Sequence, residues 1–526
     1  MDMQEMEYNG AMPVSAQRCC KIGAEVREHS EDFMMPDYVA DIRRVAYCDV
    51  QAEVRKLSAE NGRIGWECML TYTALLLGDD DTVRNVILQS RLEGEMKAEG
   101  NTDAARLEVK LENAGMRALD PRRINGRSRV CVYAYAPCRV ATEPEVKGDD
   151  SAGACLEKKT KQVRYTTSAT TERNDLRVSE DIELDSSMPE ISEIVYCDVR
   201  PYLTSSVVKD GHADIRGEAA VDILYSDVNG EYFPYSSHIP ISASFDLPYG
   251  DVCGSFARAR IGEVKAAAQT NGYGENKIIE LDFSWDASVL CMIGDECEIT
   301  TDLYSTAHEI SVSSRDITLD RYVGSFCGNL SVSGESSLED LSLSGVEGVV
   351  ATRAAARIND VSRNESGRTL ISGSADVSLI CGVGGEKEGY ASCEIKIPFR
   401  YERDIDPECD DFDCRCSVNI SSVKARLDHS KLRADCELVI SGIMTAPFVE
   451  RGISEVTAKS ELAPDRAPMT LYFNSCGESL WDIAKRYNVA PAEILERNGI
   501  DQDELQHKRV LVIPAARTAA GFSRVI

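Results

Sequence analysis

The groups in this chain that could attack a bond, move a proton or hold a metal are its six histidines, nineteen cysteines and 88 acidic residues. The histidines, at positions 29, 212, 238, 308, 429 and 507, fall in no His-Glu-x-x-His or other paired ligand spacing. Neither a Gly-x-Ser-x-Gly elbow nor a Walker-type phosphate loop occurs. Cys409, Cys414 and Cys416 in "CDDFDCRC" are the densest thiols, yet no fourth ligand stands at close spacing, so they read as structural rather than as a zinc site. "DVNGEYF" lacks the remaining ligands and the closing glutamate of a calcium loop. "GVGGEKEG" leads into a strand, not into the helix N-terminus that a phosphate cradle needs. These absences predict a chain without catalytic residues, metal or cofactor, hence not an enzyme.

Binding chemistry remains, and residues 477–500, "GESLWDIAKRYNVAPAEILERNGI", carry it. Leu480, Ile483, Ala484 and Tyr487 stand at i, i+3, i+4 and i+7, one face of a helix, and Ser479 before them with Asp482 three positions on makes an N-cap with an acidic first turn. A second helix opens at Pro491, turns Ile494 and Leu495 inward, and stops at Asn498-Gly499, where glycine accepts the left-handed conformation. "MTLYF" (469–473) and "RVLVIP" (509–514) read as flanking strands. The order is strand, helix, helix, strand. Trp481 lies about 100° around the helix from Leu480. That leaves it three placements: an exposed aromatic anchor for a partner, a contact with the neighbouring β-module, or a flank of the small core.

This stretch resembles a LysM domain. The family's Gly-Asp-Thr-Leu turn stands here as Gly477-Glu478-Ser479-Leu480, its Ile-Ala helix as Ile483-Ala484, its asparagine as Asn498, and its closing Leu-x-Ile-Pro as Leu511 to Pro514. Cys476 replaces the usual proline, and Lys508-Arg509 replaces a Gly-Gln, which reshapes that turn if its glycine needs positive φ. The resemblance implies a carbohydrate site between the strand-to-helix turn and the loop after the second helix. On this chain those residues are Gly477, Glu478, Ser479 and Leu480, with Asn498, Gly499 and Ile500, and Trp481 is added as a partner-binding candidate.

At 526 residues the chain is too long for one domain and fits three or four. A 43% hydrophobic and 28% charged composition is that of folded protein. The net charge of −30 disfavours nucleic acid and anionic membrane as partners. No basic n-region with an apolar h-region opens the chain, and no apolar run approaches a membrane span, so no membrane insertion and a cytoplasmic location with reduced thiols are expected.

Self-similarity organises the rest. "MPDYVADIRRVAYCDVQAEV" (35–54) and "MPEISEIVYCDVRPYL" (188–203) share Met-Pro and Tyr-Cys-Asp-Val. After each, and again near 370–405, an alternating strand leads to a turn and another strand. The alternating positions are Trp66, Cys68, Leu70 and Tyr72; Ile215, Gly217, Ala219, Val221 and Ile223; and Ile371, Gly373, Ala375, Val377 and Leu379. Asn229-Gly230 and Gly384-Gly385 signal hairpins. The fold class is mainly β: three tandem all-β sandwich or barrel-like repeats, then a small α+β (βααβ) module. The expected domains are 1–140, a linker over 141–165, 166–300, 301–450, a linker over 451–468, and the LysM-like module over 469–515.

Three such repeats followed by this module resemble the SPOCS-domain, LysM-containing spore coat morphogenetic proteins of the SipL type. That resemblance implies a non-enzymatic scaffold or adaptor in spore envelope assembly. It would sit on the mother-cell side of the forespore surface and bind the spore coat morphogenetic ATPase through its C-terminal module. The alternative is a protein whose module binds peptidoglycan or cortex glycan, with the β-repeats as spacers.

Overall fold

The computed structural model describes residues 15–36, 40–100, 102, 104–147, 155–247, 250–384, 389–463, 469–473, 478–501 and 510–514. Strands alternate buried and exposed side chains because successive Cβ atoms point to opposite faces. In the first unit the strands are β1 (Ser15–Met34), β2 (Ile42–Glu60), β3 (Arg63–Gly78), β4 (Val83–Lys97), β5 (Arg106–Asp120) and β6 (Arg123–Ala141). They form two antiparallel sheets in the orders β1-β6-β5 and β2-β3-β4. The second unit repeats this plan with β8 (Leu156–Glu183), β9 (Glu193–Lys209), β10 (His212–Ser226), β11 (Tyr232–Asp246), β12 (Val252–Thr270) and β13 (Asn276–Ser305), as β8-β13-β12 and β9-β10-β11. The third repeats it with β14 (His308–Ser337), β15 (Val346–Arg363), β16 (Thr369–Val383), β17 (Gly389–Arg403), β18 (Asp413–Asp428) and β19 (Lys431–Glu461), as β14-β19-β18 and β15-β16-β17. A short β7 (Glu145–Lys147) pairs in parallel with β19.

The alternating runs seen in the sequence are the central strands β3, β10 and β16. Cys68, Leu70, Tyr72, Ala219, Val221, Ala375, Val377 and Leu379 are fully buried there. Each fully buried aliphatic side chain stabilises its sandwich by roughly 1.5–3 kcal/mol. β8 begins inside 141–165 and β19 runs to Glu461, so regular strand pairing extends into both stretches expected to be linkers. The loop at Asn229-Gly230 is wider than a two-residue turn. Strand pairing stops at Ser226 and Tyr232, and the Asp227 carboxylate closes the loop by accepting from the backbone N–H groups of Asn229 (2.8 Å) and Glu231 (2.9 Å). Gly385 of the other expected turn lies outside the described residues.

Equivalent positions of the three units meet at a common centre. Tyr47, Tyr196 and Ala351 cluster with Leu75, Leu224 and Ile380. Below them Arg353 inserts its guanidinium between the rings of Tyr47 (4.3 Å) and Tyr196 (5.1 Å) and donates to Asp198 at 2.6 Å. A second cluster joins Ala16, Val163 and Leu319, one residue from the first strand of each unit. The three sandwiches are therefore packed as a three-lobed body with approximate threefold arrangement.

The chain ends in β20 (Met469–Phe473), α1 (Leu480–Tyr487), α2 (Pro491–Asn498) and β21 (Val510–Pro514), with β20 and β21 antiparallel. This is the strand, helix, helix, strand order expected from the sequence. None of the described helices is long and apolar enough to cross a membrane.

Candidate binding site

The C-terminal unit is built on a core of Leu480, Ile483, Ala484, Val489, Ile494, Leu511 and Ile513. α1 starts where Ser479, extended at φ −81° and ψ 152°, accepts from the Asp482 N–H with its hydroxyl at 3.2 Å. The same hydroxyl donates to the Asp482 carboxylate at 2.7 Å, so cap and first-turn acid hold each other. α2 starts at Pro491 and is capped after Asn498 by Gly499, which is left-handed at φ 58°. Its last carbonyls are taken by the Gly499 and Ile500 N–H groups.

Several sequence-selected residues prove to do structural work. Asn498 is more than a C-terminal residue of its helix: its amide donates to the carbonyls of Ile494 and Val512, each at 2.8 Å, and its oxygen accepts from the Val512 N–H at 2.8 Å. It ties α2 to β21 across a 14-residue separation. Glu478 receives the Tyr472 hydroxyl and pairs with Arg486 at 2.7 Å. Leu480 is buried. Ser479, Gly499 and Ile500 remain at the surface or half-buried, on the two lips expected to form a groove. Gly477, Lys508 and Arg509 lie outside the described residues.

Trp481 meets the neighbouring β-module and also flanks the small core of its own unit. Its indole N–H donates to Asp302 at 2.8 Å, and its ring meets Tyr304 edge-on at 5.1 Å between centroids. Lys485 pairs with the other Asp302 oxygen at 2.6 Å, and the Tyr304 hydroxyl donates to the Val489 carbonyl at 2.7 Å. Burial pushes the Asp302 carboxyl up, but Lys485 and Trp481 outweigh it and hold the group below the usual carboxylate range. The C-terminal unit is thus docked on the end of β13. Sequence reasoning missed Asp302 and Tyr304, since nothing in "EITTDLYS" marks them as partners for residues some 180 positions on.

Residues 477–514 match the LysM domain family. No curated protein and no solved structure matches the chain. LysM domains are binding modules and not catalytic ones, and no enzyme family is indicated for the chain. The outer face of the LysM sheet is also notable for its exposure. Met469, Leu471 and Phe473, the last 75% exposed, stand opposite Pro514, Val512 and Val510 across the strand pair.

Elsewhere, His29 Nε2 lies 2.6 Å from the Ser90 hydroxyl, which also bonds Glu31. The acid there sits on the hydroxyl instead of on the far ring nitrogen, and Ser90 is 3% exposed, so the group neither polarises a nucleophile nor admits a substrate. Among the described residues no three His, Cys, Asp or Glu side chains converge as metal ligands.

Proposed function

We propose that this chain is a non-enzymatic binding protein whose LysM domain takes a peptidoglycan-type glycan between the lip at Glu478 to Leu480 and the lip at Asn498 to Ile500. The observation that carries this reading is the domain match together with the two stretches being held in place by the Ser479 cap, the Asn498 amide and the left-handed Gly499. Capped helix ends present a rigid surface to sugar hydroxyls with little ordering cost on binding. The three-lobed body holds the domain in a fixed direction through Asp302 and Tyr304.

A second reading, favoured by the exposed apolar face of Met469, Leu471 and Phe473, is that the LysM domain also docks on protein. In the spore envelope, as the SPOCS and SipL resemblance implies, that partner is the coat morphogenetic ATPase, and the chain acts as a scaffold on the mother-cell side of the forespore. One experiment tests both readings: purified full-length chain is pelleted with peptidoglycan and, in parallel, captured on the ATPase. Gly499→Asn puts a side chain on the second lip at a position where an added Cβ meets nothing within 4 Å, and asparagine tolerates the left-handed backbone. It is expected to cut pelleting at least tenfold while leaving ATPase capture intact. Phe473→Glu is expected to do the reverse. Failure of the unmodified chain to pellet with peptidoglycan overturns the first reading, and ATPase capture insensitive to Phe473→Glu overturns the second.

A further inference from the structure

A cavity of about 1050 Å³ opens where the fifth strands of the three units converge, remote from the LysM domain. The three strands bulge at matching places, between Leu111 and Asn113, Ile261 and Val264, and Ile420 and Ser422, which fixes their correspondence. Counting back from the bulges, Glu108, Arg258 and Ser417 hold equivalent positions, and so do Arg106, Phe256 and Arg415. Where a symmetric body would place three identical side chains, this one gathers cations of unlike surroundings.

Arg415 is provided for: it pairs with Glu108 at 3.3 Å and Asp413 at 3.5 Å and lies over the Tyr135 ring. Arg106 donates to the Thr170 hydroxyl at 2.8 Å. Arg258 is different. Its guanidinium lies over the Phe256 ring at 5.0 Å, and among the described residues it makes no ion pair or hydrogen bond. Although the side chain is exposed at the cavity wall, desolvation by the surrounding protein lowers its pKa, Glu108 offsets part of that, and the neighbouring Arg415 lowers it further. Lys110 likewise has no ion-pair partner among the described residues, and it acts with Arg258 on the Cys416 thiol, so the two cations share one side of the cavity. Of the lining carboxylates, Glu112 is engaged by Arg129 at 2.9 Å, while Glu172 and Asp360 are exposed.

Arg258 is exposed at the cavity wall beside a second guanidinium, and among the described residues its donors have no acceptor. An oxyanion supplies one, because the planar fork of arginine matches phosphate and carboxylate oxygens in pairs. We propose that this cavity is a binding site for the phosphate or carboxylate group of a small organic molecule, gripped by Arg258 with Arg415 and Lys110, its body resting on Phe256, Tyr135 and Leu290.

The test is calorimetric titration of the full-length chain with pyrophosphate and with citrate at constant ionic strength. Binding of either or both is expected, and it distinguishes the phosphate from the carboxylate class. Arg258→Met is expected to weaken that binding at least tenfold and to leave the ligand-free melting temperature unchanged, since the charge it removes is exposed and makes no ion pair or hydrogen bond among the described residues. Binding of neither anion, equal binding by Arg258→Met, or a large loss of ligand-free stability in that variant would each overturn the assignment. Arg164→Ala, at a side chain 89% exposed on β8, serves as the control and is expected to change nothing.

Discussion

Asp302 fixes the direction in which the LysM domain faces. One carboxylate oxygen takes the Trp481 indole and the other takes Lys485, so a single side chain bridges two units of the chain. Asp302→Leu removes both bonds and strands the Trp481 N–H at a half-buried contact, at a cost of about 1–3 kcal/mol. The expected result is a red shift of Trp481 emission without loss of β-structure by circular dichroism, together with unchanged glycan pelleting. The same contact responds to acid. Asp302 is depressed in the folded chain, so its contribution is present above the ordinary carboxylate range and is lost as pH falls through its lowered folded value. The emission shift is therefore expected on acidification, below the pH at which exposed carboxylates titrate. Legibility at this scale was uneven. The helix caps were readable because Ser479, Asp482 and Gly499 act within a few residues of one another. The roles of Trp481 and Asn498 were not, because their partners sit 179 and 14 residues away and only the folded chain brings them together.

At the scale of elements, the three central strands β3, β10 and β16 were legible from their alternation, and each pairs with the second strand of its unit. The irregularities within them were not legible, because a bulge leaves no pattern of its own in apolar spacing. All three units bulge the second strand at the same height: between Val54 and Lys56, opposite the Arg216/Gly217 step, and between Ile358 and Asp360. In two of them a glycine faces the bulge, and a Cβ there would run into backbone carbonyl oxygen, that of Tyr202 against Gly217 and that of Arg357 against Gly373. Backbone cannot step aside as a side-chain tip can. Gly373→Val is expected to cost about 3 kcal/mol in urea unfolding. Gly230→Ala, in an open loop where only the positive φ of 84° resists it, is expected to cost about 1 kcal/mol.

For the molecule as a whole, the decisive region is the centre where the three units meet. The Tyr-Cys-Asp-Val repeat that was visible in the sequence places Asp49 and Asp198 at corresponding positions, and Arg353 occupies the third. Burial raises the Asp198 pKa, but Arg353 and Arg200 outweigh it and hold the group low, whereas burial dominates at Asp49 and raises it. The signs are opposite. Asp198 stabilises above the ordinary carboxylate range and fails as pH drops through its folded value. Asp49 holds a proton in the folded state that the unfolded chain releases, so stability falls as pH rises through that window. Asp198→Asn is expected to cost about 3–5 kcal/mol by leaving Arg353 buried and under-compensated. Asp49→Asn is expected to keep or raise the melting temperature at neutral pH, which calorimetry would show directly. Because one arginine stands where a perfect trimer would repeat an aspartate, the lobes are not interchangeable. A chain cut between the second and third sandwiches would accept only a third lobe in the open slot, because either of the other two would bring an aspartate there and bury acid against acid.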